Sequence, residues 1–280
     1  MTIITTPAQH LAAIKSALEL CPKPADRTLP AELDWADEIA ARLRALAYTP
    51  PSVNQIIDTD PANLDEALNE YAAAVNRQHG AEAAIKAGVV KALQARHSEH
   101  LRDLVPEVLG RLAPVFTKMV TQLRTAARDL PAGPAATDPR AILDAGAGSA
   151  HQSAQEALHA IRLIGKVHRT PPTHRGGAAL AAVAAVPESV GPTLIDPLRH
   201  APADPAQAAT NRAIRDAVEA YATNPDLALM DLAREQHQPL RLDLALDAAT
   251  LHQRLEAIDA AHRTEALRDT TPAGVAAARA

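Results

Sequence analysis

The run Leu64-Asp65-Glu66-Ala67-Leu68-Asn69-Glu70-Tyr71-Ala72-Ala73-Ala74-Val75 places an apolar residue every three or four positions. It belongs to a stretch of seventy residues, 61–130, in which only Pro106 and Pro114 seriously interrupt that pattern. Ile85, Val89 and Leu93, then Leu101, Val105, Val108, Leu112, Val115, Met119, Leu123 and Leu130, continue one stripe along the side of a helix. At about 1.5 Å per residue, positions 61–104 alone would span roughly 65 Å. A stripe of that length has to be covered by another helix, from this chain or from a second copy. Leu64, Leu68, Tyr71, Val75, Ile85, Val89 and Leu93 are therefore the expected self-association face. Asp103 and Pro106 predict a break and restart, because a proline beyond the first helical turn costs about 3 kcal/mol. Pro114 predicts a kink.

Composition points the same way. Aromatic residues make up 2% of the 280 positions, although such side chains dominate compact cores and small-molecule pockets. The hydrophobic fraction of 47% is ordinary only because alanine fills it. Alanine favours helix but buries little area, so stability is expected to come from length and partners. A net charge of −5 gives no global pull towards nucleic acid or an anionic membrane. Cys21 is the only cysteine, which excludes an intrachain disulfide and every multi-cysteine metal site; it reads as a small apolar residue of the first helix. No apolar run approaches 18 residues, and residues 1–13 lack the pattern of a signal peptide. The expected compartment is the cytoplasm, or the inside of a particle assembled there, with no membrane contact.

Helix starts are marked by a capping residue followed by proline: Thr6-Pro7, Asp60-Pro61, Asp138-Pro139, Asp204-Pro205 and Asn224-Pro225. These marks predict helices over residues 7–20 and 31–47, a short one after Ser52, and the long helix from Pro61. Four regions follow: short helices over 1–60, the coiled-coil-like region 61–130, a hinge or arm over 131–203, and a helical unit over 204–280 with a disordered tail. The hinge region carries nine prolines and seven glycines, one helix near 149–167 and a weaker one near 178–186. Residues 240–247 alternate Leu240, Leu242, Leu244 and Leu246 with polar or small residues. They read either as an extended segment, with nothing in this chain to pair with, or as the lead-in to a helix carrying Leu251, Leu255 and Ile258.

Ala141-Ile142-Leu143-Asp144-Ala145-Gly146-Ala147-Gly148-Ser149-Ala150 resembles the first motif of class I S-adenosylmethionine-dependent methyltransferases, in which a strand runs through a glycine-rich turn into a helix. The resemblance implies that Asp144, Gly146 and Gly148 contact the cofactor. It departs from the family at Ala150, where a third glycine is usual, and no acidic residue closes a second strand about twenty residues on. Read from the residues alone, the segment is a loop ending at an N-cap, with Ser149 and Gln152 in capping-box positions.

His97, Glu99, His100 and Asp103 lie close together in the long helix, and His97, His100 and Asp103 are a candidate divalent-metal set. No HExxH pattern accompanies them, so a solvated polar face, or a polar layer fixing helix register, is the competing reading. Arg162, Lys166, His168, Arg169, His174 and Arg175 are the one basic concentration. Arg162, Lys166, Arg169 and Arg175 are candidate phosphate contacts, although no aromatic residue is interleaved for base stacking. The alternative is that they complement a helix dipole.

The expected fold is all-α: an elongated, coiled-coil-like helical bundle with a proline- and glycine-rich hinge and a smaller C-terminal helical unit. The expected role is contact rather than chemistry, in a non-enzymatic oligomeric scaffold or assembly component that uses no cofactor and partners with itself and other proteins. Arginine outnumbers lysine 22 to 6, a usage associated with high-GC bacteria and their phages, so a phage assembly or virion component is the specific expectation. The alternatives are a methyltransferase-like enzyme and an adaptor binding phosphate or nucleic acid through residues 162–175.

Overall fold

The computed structural model describes residues 7–30, 63–84, 90–168, 177–187 and 205–270. The helices expected at 31–47 and after Ser52, and the tail beyond residue 270, lie outside the described residues. The fold is all-α: α1 (Pro7–Leu18), α2 (Leu64–Ala84), α3 (Val90–Asp129), α4 (Pro139–Asp144), α5 (Gly148–Gly165), α6 (Gly177–Val183), α7 (Pro205–Thr223), α8 (Pro225–Ala233) and α9 (Ala248–Thr270). The described residues also include two-residue strands, β1 (Ala184–Ala185) and β2 (Arg241–Leu242). No described helix is long and apolar enough to cross a membrane.

Contacts divide the chain into two compact units, residues 1–27 with 104–280, and residues 28–103. This division falls elsewhere than the boundaries read from composition. The region expected to be a hinge contributes α5 and α6 to the interior of the first unit, while α4 lies at its surface with Ile142 buried.

The helix starts follow from their capping pairs. Asp138 accepts a hydrogen bond from the Arg140 N–H at 3.0 Å, and Asn224 from the Leu227 N–H at 3.1 Å. The following proline sits where no N–H is needed. The break expected near Asp103 and Pro106 is not there: α3 runs unbroken through Pro106 and Pro114. Each proline removes one bond, to the carbonyls of Arg102 and Gly110. Those residues and both prolines are exposed, so water solvates the freed carbonyls and the helix continues. The opposite face of α3, with Leu101, Val108, Leu109, Leu112 and Leu123, is buried.

At the centre of the first unit lies α6, with every residue buried. It packs against α5, α7 and α9, while α1 lies on α5 and α8 on α7. Its sequence, Gly-Ala-Ala-Leu-Ala-Ala-Val, has side chains small enough for helices to converge on it. At Gly165 a Cβ would stand 2.8 Å from Val183 Cγ1, so glycine sets how closely α5 approaches α6.

A buried helix end must still find partners for its last carbonyls. Here the period-two segment supplies them. Val183 O accepts from Asp243 N at 2.9 Å and Ala182 O from Ala245 N at 3.0 Å, while Ala184 pairs antiparallel with Leu242 and Ala185 with Arg241. The expectation that a strand at 240–247 has nothing to pair with in this chain is therefore corrected. Leu240, Leu242 and Leu244 turn inward as the alternation requires, and Leu246 is exposed.

Arg234 does the same for α3, donating to the carbonyls of Ala127, Leu130 and Pro131 at 2.9, 3.1 and 2.8 Å. Its positive charge also complements the negative end of the helix dipole. Cys21 lies just past α1 and is buried, and burial pushes its thiol up from the ordinary range.

Candidate functional site

In the second unit, helix α2 carries the first half of the expected self-association face. Leu64 is 37% exposed and Leu68 46%; Tyr71 and Val75 are half-buried. Their spacings of four, three and four residues are those of the a and d positions of a heptad. Ala67, Ala72 and Ala74 flank the seam with minimal side chains, and Ala74 is buried. Ile85, Val89 and the side chain of Leu93 lie outside the described residues.

The candidate metal ligands separate by burial. His97 is buried in α3, while His100 and Asp103 on the same helix are exposed. Among the described residues no group of three histidine, cysteine, aspartate or glutamate side chains comes together to hold a metal ion.

The segment resembling the methyltransferase motif begins as helix. Pro139–Asp144 is α4, where that motif requires a strand. Gly146, at φ +64, makes the left-handed turn that ends α4. Its N–H donates to Leu143 O at 3.0 Å, and Ala147 N–H to Ile142 O at 3.0 Å. Gly148 then opens α5 behind Ala147, whose side chain has no cap to offer. Ser149 thus lies inside the helix and is no N-cap. Asp144 and Gly148 are exposed, and no Cβ clash surrounds Gly146 or Gly148.

Of the basic candidates, Arg162 and Lys166 lie on one face at the end of α5, and Arg169 and Arg175 lie outside the described residues. Arg162 pairs with Asp226 of α8 at 2.8 Å. Among the described residues Lys166 has no carboxylate partner. His168, grouped with them in sequence, is buried and donates through Nε2 to Ala245 O at 2.7 Å. Burial, the largest influence, holds it below the usual histidine range, against the opposing effect of that hydrogen bond. His10 of α1 likewise donates to Val167 O at 2.7 Å.

Among the described residues, the clefts of the first unit include two with polar linings. One, of about 310 Å³, is lined by Asp216, Glu219, Asp231, Asn224 and Thr223. Burial raises the Asp231 carboxyl, with Arg234 acting the other way. The other, of about 380 Å³, is walled by α5, α6, α7 and α8 and presents His159, Arg162, Lys166 and Tyr221 over Leu163, Ala179 and Val183. Among the described residues no acidic side chain lines this second cleft. Sequence reasoning missed it because its walls come from four separate helices. Tyr221 could be read only as part of the apolar stripe with Ile214 and Val218.

The chain matches no protein-family model, no curated protein sequence and no solved structure.

Proposed function

We propose that this protein is a helical assembly component that acts by contact, and that α2 associates with α2 of a second copy. The observation that carries this reading is the exposed apolar pair Leu64 and Leu68 at the head of a heptad-spaced seam. A second copy is the occupant that such a seam fits, because a two-fold interface sets one patch against itself, and a heptad face is complementary to its own image. Alanines at the flanks let two backbones approach closely. The finer identity, a phage assembly or virion component, rests on composition: arginine over lysine, abundant alanine and 2% aromatic residues.

The test is the double substitution Leu64→Asp with Leu68→Asp. Sedimentation velocity should show the wild-type protein associating as concentration rises and the variant remaining a single slow species. Thermal unfolding of the first unit, which holds neither residue, should be unchanged. Identical sedimentation of the two proteins would remove α2 as the contact face.

A further inference from the structure

The cleft walled by α5, α6, α7 and α8 lies in a chain with 33 acidic against 28 basic residues. Even so, among the described residues the titratable groups lining it are His159, Arg162, Lys166 and Tyr221, with no carboxylate. His159, Arg162 and Lys166 follow at i, i+3 and i+7 along α5, so the helix itself sets them on one face. Asp226, which is not among the lining residues, forms an ion pair with Arg162 at 2.8 Å, and a guanidinium paired with one carboxylate keeps further N–H donors.

Tyr221 adds an independent observation. The residue is 4% exposed, and a tyrosine so buried ordinarily finds a partner for its hydroxyl. No protein group among the described residues bonds this hydroxyl, and its oxygen is not fully buried, so it opens to solvent where the side chain lines the cleft. Burial pushes the phenol up to about 12, so it stays a donor at neutral pH. The floor beneath these groups is apolar: Leu163, Ala179 and Val183. The volume of about 380 Å³ lies within the range for small molecules and is far from the extended groove a nucleic acid needs.

We infer that this cleft binds a small phosphate monoester, its phosphate held by Lys166, Arg162 and the Tyr221 hydroxyl and its apolar body resting on Leu163, Ala179 and Val183. A phosphate monoester offers three acceptor oxygens and up to two charges, which matches a fork, a point charge and a neutral donor better than a carboxylate does. The site lies in the first unit and does not depend on association through α2.

The competing role for Arg162 and Lys166 is to complement the dipole at the end of α5, which needs no ligand. Calorimetric titration of the full chain with phenyl phosphate separates the two, with inorganic phosphate and benzyl alcohol as the anion-only and ring-only probes. Phenyl phosphate should bind saturably and more tightly than inorganic phosphate, and benzyl alcohol should give no saturable heat. Lys166→Gln and Tyr221→Phe should each weaken phenyl phosphate about tenfold, the usual effect of losing one hydrogen bond to a charged group. Lys118→Gln, an exposed lysine on α3, should bind as the wild type does. Tyr221→Phe keeps the ring that fills the core, so its effect reports the hydroxyl and not the fold. No saturable binding of phenyl phosphate at millimolar concentration would overturn the assignment. So would an affinity equal to that of the wild type in Lys166→Gln and Tyr221→Phe, or a loss of thermal stability in Lys166→Gln with binding unchanged.

Discussion

The guanidinium of Arg254 donates to the main-chain carbonyl of Ala181 at 3.2 Å, joining α9 to the buried helix α6 across 73 residues of sequence. The same nitrogen donates to Asp243 O at 2.9 Å, and Nη2 pairs with the Asp243 carboxylate. One side chain, 6% exposed, thus ties α9, the end of α6 and the extended segment together.

Replacing Arg254 with Ala should therefore leave the Ala181 carbonyl buried without its donor and a cavity in place of the stem. Asp243 is half exposed and can be rehydrated, so the loss should be about 2–4 kcal/mol, less than for a pair buried on both sides. Arg254→Lys should recover part of it, because an ammonium keeps the charge but loses the fork. Urea unfolding followed by circular dichroism measures both. A loss below about 1 kcal/mol for the alanine variant would contradict the bracing role.

Gly165 and Val183 give a coupled test. A methyl group at Gly165 would meet Val183 Cγ1 at 2.8 Å, so Gly165→Ala should destabilise by about 1–3 kcal/mol through overpacking. Val183→Ala should cost about 1–2 kcal/mol by itself, through its cavity. The double variant should be more stable than the sum of the two losses implies, since the added methyl occupies the space vacated. Strictly additive losses would mean that the two residues do not limit the approach of α5 to α6.

His168 predicts a pH dependence. Its folded-state value is lowered from 6.5, by burial first; Arg254 and His10 also disfavour the imidazolium, while the Ala245 hydrogen bond and Asp247 favour it. Below pH 6.5 the unfolded chain takes up a proton that the folded chain resists, so unfolding is favoured as pH falls. Stability from this group is complete above pH 6.5 and declines below it, down to the folded-state value. The melting temperature should drop between about pH 7 and pH 5.5, and His168→Gln should flatten that slope. A variant with the wild-type slope would assign the effect to other histidines.

What could be read in the sequence was what is local. Asp138-Pro139 and Asn224-Pro225 carry their capping atoms within three residues, so the starts of α4 and α8 needed no tertiary information. The period-two alternation of Leu240, Leu242 and Leu244 was also legible. Its partner was not, because the carbonyls it serves belong to α6, whose alanines carry no strong periodic signal and whose centrality depends on the helices around it. Pro106 misled because the cost of a proline depends on whether water reaches the freed carbonyl, which is a property of the folded surface. The cleft was hidden for a related reason. Arg162 and Lys166 stood out as a basic run, but Tyr221, Val183 and Asp226 join them only once α6, α7 and α8 have packed.

The central claim is that the exposed Leu64 and Leu68 seam is covered by a second copy. Multi-angle light scattering after size exclusion, over at least a tenfold range of protein concentration, tests it most directly. Self-association predicts a mass of at least twice the 29.5 kDa of one chain at the upper end, and a fall towards one chain for Leu64→Asp with Leu68→Asp. A constant mass of 29.5 kDa for the unmodified protein across the whole range would contradict the account.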